Sequence, residues 1–197
     1  MKKIALTIAL MTTMAVGYAQ NELGTLTIQP KGGFGFATLT NVPESEMAGV
    51  GMFGAELEYA LKEKLSLAAG LNFNMQGYNI EDTKSMKDWH TSMTYLAFPF
   101  VANFYVFKGL ALKAGLQPGF LLRANESYNL NDVKYDEKVT DHYKTFDLSI
   151  PLGISFEFSR VVIDARYLFG LTKVNEYGDK TCRNSVILIT TGYKFRL

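Results

Sequence analysis

A strict alternation of large apolar residues with small or charged ones between positions 146 and 171 constrains the fold more than any other feature. The segment reads FDLSIPLGISFEFSRVVIDARYLFGL, and side chains on a β-strand alternate faces with this period of two. The apolar parity switches after Ser159-Arg160, as expected of a two-residue turn that pairs Phe158 with Val161 on one face. The segment therefore predicts a long hairpin with one apolar and one polar face.

The size of the side chains on the two faces indicates which face points outward. The polar face carries glycine, serine and charged residues, which suit a narrow interior, whereas the apolar face carries Phe, Leu, Ile and Tyr, which suit a wide outer wall. Transmembrane β-barrels have this arrangement, with apolar side chains toward lipid and polar side chains toward the lumen. A soluble lipocalin-like carrier, with its apolar face inward, is the alternative.

The same alternation recurs along the chain and predicts eight strands, at about 24–39, 50–61, 65–78, 92–106, 110–125, 146–158, 161–171 and 187–197. Long polar connections at 40–49, 79–91, 126–142 and 172–183 alternate with three tight turns, and outer-membrane barrels have this asymmetry. An unpaired strand edge in hydrocarbon costs several kcal/mol per group, so the last strand must pair with the first. The sequence predicts an all-β fold, an antiparallel eight-stranded up-and-down transmembrane β-barrel.

The first residues have the features of an export signal. Lys2 and Lys3 precede an apolar run that ends in small residues at Gly17 and Ala19. We therefore expect a cleavable signal peptide at 1–19, a barrel domain at 20–197 and a location in the outer membrane. After residue 20 no apolar run is long enough for a transmembrane helix.

Composition excludes several classes of function. The net charge of +1 gives no strong attraction to nucleic acid. Cys182 is the only cysteine, so an internal disulfide and a cysteine-based metal site are both excluded. The sequence predicts a protein that is not an enzyme and has no catalytic residues, cofactor or metal.

Charged residues on the inward parity are the main candidate site. An eight-stranded barrel is just wide enough for its side chains to fill it, and buried charges must pair. We therefore predict a closed lumen held by a charge network, with a narrow polar conduit or an acid/base pair at Glu56 and Glu58 as alternatives. The predicted network comprises Lys31, Glu56, Glu58, Lys113, Arg123, Asp147, Glu157, Asp164, Arg166, Lys194 and Arg196.

Three other patterns have alternative functional interpretations. The glycines of Gly49-x-Gly51-x-x-Gly54 match the dinucleotide-binding fingerprint, but they lie in a loop and an alternating strand rather than before a helix. His90 and His142 fall in different long loops on the same side, where a hydrolase or acyltransferase site is an alternative. The acidic loop 126–142 is expected to be solvated, with a divalent cation or a partner protein as the other options.

Several residues together resemble the PorT-like family of small outer-membrane β-barrels. They are Ala19-Gln20 at the end of the signal peptide, GGFGFA at 32–37, the eight-strand pattern and the closing GYKF at 192–195. The architecture is similar to that of OmpA- and OmpX-type barrels. The resemblance implies outer-membrane lipid as surroundings, secretion components as partners, and Tyr193 and Phe195 as an assembly signal read by the barrel-assembly machinery. The chain ends in Leu197 rather than in the Phe that such signals carry.

Overall fold

The computed structural model describes residues 22–42, 45–80, 86–130, 133–176 and 181–197, and most of them form β-strands. The strands are β1 Leu26–Leu39, β2 Ser45–Lys62, β3 Leu65–Ile80, β4 Met86–Ala97, β5 Phe100–Phe107, β6 Leu110–Leu130, β7 Val133–Lys138, β8 Phe146–Phe158, β9 Val161–Gly170, β10 Asn184–Tyr193 and β11 Phe195–Arg196. Thr140–His142 forms a short 3-10 helix. The predicted signal peptide at 1–19 lies outside the described residues.

These strands form a closed antiparallel ring of eight. β4 and β5 are two halves of one strand, interrupted at Phe98 and Pro99, and β10 and β11 are two halves of another, interrupted at Lys194. β7 is an additional strand beside the last residues of β6. The ring closes between β1 and β10, where Phe34 lies opposite Ile189. The predicted eight-stranded barrel is therefore confirmed, including the pairing of its first and last strands.

The two sides of the sheet have the predicted polarity. Leu71, Leu116 and Ile154 are exposed on the outer wall, whereas Glu56 and Arg166 are buried inside it. No helix among the described residues is both long and apolar enough to cross a membrane. A barrel that exposes its bulky apolar side chains and buries its charges is suited to lipid rather than water.

Three tight turns lie at one end of the barrel, which we call the turn end. Phe158 pairs with Val161 across the turn at Ser159-Arg160, as the parity switch predicts. Ser159 (φ 57°) and Gly109 (φ 76°) adopt the left-handed conformation that such short turns require. The opposite end carries the longer connections, and we call it the loop end.

The strands at the loop end extend further than the sequence predicts. β2 begins at Ser45 rather than near Val50, and β3 and β4 pair as far as Ile80 and Trp89. β6 continues to Leu130 and pairs with β7 inside the predicted loop 126–142. The prediction of loops here was wrong because these strand ends do not continue the regular alternation of apolar and polar residues, while the ladder still supplies their hydrogen bonds. Residues 45–49, 76–80, 86–92, 125–130 and 133–138 form this extension, which we call the crown.

Candidate functional site in the barrel interior

Five charged side chains from four strands meet in the middle of the barrel and form what we call the central layer. Lys31 donates to Glu56 Oε1, which also accepts a hydrogen bond from Arg166 Nη1 at 3.0 Å. Arg166 Nη2 donates to Asp164 Oδ2 at 2.9 Å, and Lys113 Nζ donates to the same oxygen at 2.6 Å. All five side chains are at most 6% exposed. The layer contains three cations and two carboxylates, so it carries one excess positive charge.

Glycines opposite the charged residues leave room for these long side chains. Glu56 lies beside Gly70 in the ladder between β2 and β3. A Cβ atom on Gly70 would lie 2.6 Å from Glu56 Cγ, which is closer than any real contact. Gly153 lies between Lys113 on one side and Arg166 on the other. The alternation of glycine and charge along the strands is therefore a consequence of packing a narrow lumen.

A second group of polar side chains lies toward the turn end and forms the turn-end layer. Lys194 Nζ donates to Glu157 Oε2 at 2.6 Å, to Tyr105 Oη at 3.1 Å, and forms an ion pair with Glu58 Oε2 at 2.9 Å. Tyr105 and Ser66 both donate to Glu58 Oε1, Tyr105 at 2.6 Å. One cation faces two carboxylates here, so this layer offsets the excess charge of the central layer.

Asp147 is also buried in the barrel, but its carboxylate accepts hydrogen bonds from neutral side chains. Asn184 Nδ2 donates to Asp147 Oδ2 at 3.0 Å and Thr172 Oγ1 donates to Oδ1 at 2.7 Å. Hydrogen bonds of this kind satisfy a buried carboxylate without an ion pair.

Apolar side chains fill the interior at the loop end and form what we call the plug. Its members come from the barrel strands and from connections that fold in over the mouth: Leu39, Tyr78, Met93, Tyr95, Leu121, Ala124, Val139, Tyr143, Val174 and Cys182. Met93, Tyr95 and Val174 are at most 1% exposed. A second buried cluster is formed by side chains of the neighbouring strands β9, β10, β1 and β2: Ala37, Met52, Leu168, Val186 and Leu188. The lumen is thus polar in its middle and turn end and apolar at its loop end.

Asn72 and Asn74 are buried on the inner face of β3. They are 1% and 2% exposed, and no described protein atom hydrogen-bonds to either amide group. Buried amides without protein partners usually bind ordered water.

We therefore expect Asn74→Leu to lower the free energy of unfolding by about 1 to 3 kcal/mol, because it would leave such water without a partner. Urea unfolding in lipid vesicles measures this change, with Asn72→Leu as the parallel variant. A stabilised Asn74→Leu protein would show instead that the amides lie in a dry interior.

Two of the eleven residues predicted for the lumen lie elsewhere. Arg123 is exposed and donates to Asn125 Oδ1 at 3.0 Å. Thr94 pairs with Arg123 but Tyr95 pairs with Leu121, so a β-bulge at Leu122 shifts the parity by one residue.

Arg196 lies outside the lumen for a different reason. Its side chain is 58% exposed and forms an ion pair with Glu22. The backbone N–H of Lys194 bonds to Arg160 in the neighbouring turn, which interrupts the strand, and both residues of β11 are exposed at the turn end. Tyr193 and Phe195, the predicted assembly signal, are likewise exposed, with ring centroids 4.8 Å apart.

Partners of the network that the sequence analysis did not single out are mostly neutral. Tyr105, Ser66 and Asn103 are examples, and each follows the inward parity of its strand. Their inward parity could have identified these residues from the sequence, but the predicted network included charged residues alone.

The residues of the other candidate patterns lie on β2, on β4 and in the 3-10 helix. His90 Nδ1 hydrogen-bonds to Asn79 Oδ1 at 2.7 Å on the exposed side of β4, whereas His142 lies in the 3-10 helix beside the barrel mouth. The glycines at 49, 51 and 54 lie within β2, so the helix that a dinucleotide site requires does not follow them. Among the described residues, no three His, Cys, Asp or Glu side chains are grouped as metal ligands.

Comparison with known proteins identifies a family for this chain and solved structures with a similar fold. Residues 18–176 match the family model described as an outer membrane protein beta-barrel domain. No curated protein matches the sequence significantly.

Two solved structures illustrate the likeness in fold. Ail, the attachment invasion locus protein of Yersinia pestis, has a TM-score of 0.53 and 13% identity over 88% of this chain and 99% of that chain. Neisserial surface protein A has a TM-score of 0.51 and 16% identity over 86% of this chain and 97% of that chain. At such identities the likeness shows a shared fold.

Proposed function

Because the chain belongs to the family of outer membrane protein β-barrel domains, we propose that it is a non-catalytic barrel with a filled lumen, which holds the crown above the outer membrane for envelope structure or interaction. In such barrels the short turns are periplasmic and the longer connections are external. The crown then faces the outside of the cell. The observation that carries the proposal is the filling of the lumen, by two charged layers and then by the apolar plug.

The plug favours a closed lumen over a conduit. Met93, Tyr95 and Val174 are at most 1% exposed and occupy the interior at the loop end, and their apolar surface cannot replace the hydration of a passing ion. Below it, each charge of the central layer is bound to an opposite charge on another strand or on its own strand. Such pairs tie strands across the barrel together and support a structural role for the charges.

We expect the purified protein to show no steady ion conductance in planar lipid bilayers, because the plug and the paired charges fill the lumen. A Met93→Gly, Tyr95→Gly double variant removes two large buried side chains of the plug and is expected to produce intermittent openings. Single-channel recording measures both proteins under the same salt and voltage.

Steady openings of the unmodified protein would contradict the proposal and favour the conduit. Heat-modifiable gel migration of the same samples serves as the control that both proteins are folded barrels. An open variant beside a closed parent would localise the barrier to the plug.

Export and assembly are part of the proposal. The predicted signal peptide at 1–19 would direct the chain across the inner membrane, and the exposed rings of Tyr193 and Phe195 at the periplasmic rim suit recognition by the barrel-assembly machinery. Membrane fractions of cells expressing a Tyr193→Ala, Phe195→Ala variant would contain less folded barrel if that recognition operates.

The PorT-like resemblance supports an alternative role as an accessory component of protein secretion. A deletion strain with defective secretion and an intact envelope would favour it over the proposed role. Loss of a lipid-modifying activity in His90→Ala or His142→Ala variants would favour a barrel enzyme instead.

A further inference from the structure

A cavity of about 270 Å³ opens at the external mouth of the barrel, and residues of the plug form part of its wall. Leu39, Val42, Cys182 and the rings of Tyr78 and Tyr143 form its apolar surface, and Glu126, His142 and Asn175 add polar groups. Its volume is just below the range of about 300 to 1,000 Å³ that is usual for drug-sized ligands. The cavity is separate from the charged layers of the lumen, to which the proposed function assigns a structural role.

The polar groups of the cavity converge on one carboxylate. Tyr143 Oη donates to Glu126 Oε1 at 3.2 Å, and Tyr78 Oη lies 3.2 Å from Tyr143 Oη. Both tyrosines are less than 10% exposed, so their rings are fixed by the surrounding plug. The chain of hydroxyl groups therefore holds the Glu126 carboxylate in the wall of the cavity.

Glu126 has unused capacity for hydrogen-bond donors. An ionised carboxylate offers about four acceptor sites, and the described hydrogen bonds of Glu126 occupy one of them. Burial raises the pKa of Glu126 above its ordinary value, against the opposing effects of the Tyr143 hydrogen bond and of nearby His142. Glu137 is also close enough to raise this pKa. An additional cation would stabilise the ionised form.

We propose that this cavity binds a small organic ammonium ion, with the charged nitrogen at Glu126 and an apolar body against Leu39 and Val42. A carboxylate beside aromatic rings is the combination that recognises an ammonium group, through charge and through the π-faces of the rings. The apolar wall accepts a short hydrocarbon or aromatic group of the same molecule. The site has room for one such molecule and opens to the external side.

Benzylamine, benzyl alcohol and benzoate test the proposal, since they share a ring and differ in charge. The full chain, folded in detergent micelles, is titrated with each probe by calorimetry at about pH 8, above the usual titration range of imidazole, because His142 also lines the cavity. We expect benzylamine to bind at least about tenfold more tightly than benzyl alcohol, and benzoate to bind least. Benzylamine should also slow alkylation of Cys182, the only thiol, which lies in the cavity wall.

Three variants localise the binding. Glu126→Gln should abolish the preference for the amine while the alcohol still binds, and Val42→Trp should fill the cavity and abolish binding of both probes. Glu46→Gln is the matched control, because it removes one exposed carboxylate from the crown and should leave the preference unchanged.

The proposal fails if the three probes bind equally, if binding does not saturate, as in partition into the micelle, or if the amine preference survives in Glu126→Gln. Heat-modifiable migration of each variant confirms that it is folded before titration. A failure here would leave the conductance result, and with it the proposed closed lumen, unaffected.

Discussion

Glu56→Gln is expected to lower the free energy of unfolding by about 3 to 5 kcal/mol, the usual cost of removing one partner from a buried ion pair. Glu56 is 3% exposed and binds both Lys31 and Arg166. In the variant three buried cations would share Asp164 as their remaining carboxylate. Glutamine keeps the shape of the side chain, so the loss measures charge rather than packing.

Urea unfolding in lipid vesicles, followed by the fluorescence of the single tryptophan, measures the effect. Trp89 stacks on Tyr128 with ring centroids 5.2 Å apart, so its emission reports whether the crown is intact. Glu46→Gln is the matched control for the loss of a carboxylate, because Glu46 is exposed. A surface substitution of that kind is expected to change stability by no more than about 0.5 kcal/mol.

A second substitution distinguishes charge imbalance from loss of the glutamate itself. Lys31→Met in the Glu56→Gln background restores the original excess of one positive charge in the central layer. We expect the double variant to recover about half of the lost stability or more, a coupling typical of residues in one network. If Glu56→Gln is as stable as Glu46→Gln, the ion pairs of the central layer contribute little to the free energy of unfolding. The charge network is then not what holds the interior closed.

The eight-stranded barrel was predictable because one physical rule repeats along the whole chain. In lipid, the outer face of each strand must be apolar and the inner face must fit a narrow lumen. The position of a residue in the alternation is therefore enough to place Ile154 on the outer wall and Lys113 inside the lumen. The tight turns were predictable for the same reason, since the parity switch at Ser159-Arg160 is what a two-residue connection produces.

Parity does not predict features that depend on pairing with a neighbouring strand. The bulge at Leu122 adds one residue to β6 opposite β4, and nothing in the local pattern distinguishes Arg123 from an inward residue. Above the membrane the outer face of a strand meets water rather than lipid, so the crown lacks the apolar outer face that the alternation pattern detects. The plug combines Val139 and Val174 from connections with Met93 from a strand, which only the folded chain brings together.

Gly35 lies where the barrel closes, and we expect its replacement to have the second large effect. Gly35 is buried opposite Leu188 of β10. An added Cβ atom would overlap the carbonyl oxygen of Ile187 and lie 2.9 Å from the Cα of Leu188. These are backbone atoms, so they cannot move aside as a flexible side chain would, and β1 and β10 would have to separate.

We expect Gly35→Ala to cost about 3 kcal/mol, the upper end of the usual range for overpacking, and Gly35→Val to leave most chains unable to close the ring. Refolding from urea into short-chain phosphatidylcholine vesicles, followed by unheated gel electrophoresis, measures the folded fraction. Gly49→Val is the matched control, because Gly49 lies in β2 with no heavy atom within 4 Å of its added Cβ and should fold normally. Equal folded fractions for Gly35→Val and Gly49→Val would contradict this prediction. They would show that the backbones of β1 and β10 lie far enough apart at Gly35 to accept a valine side chain.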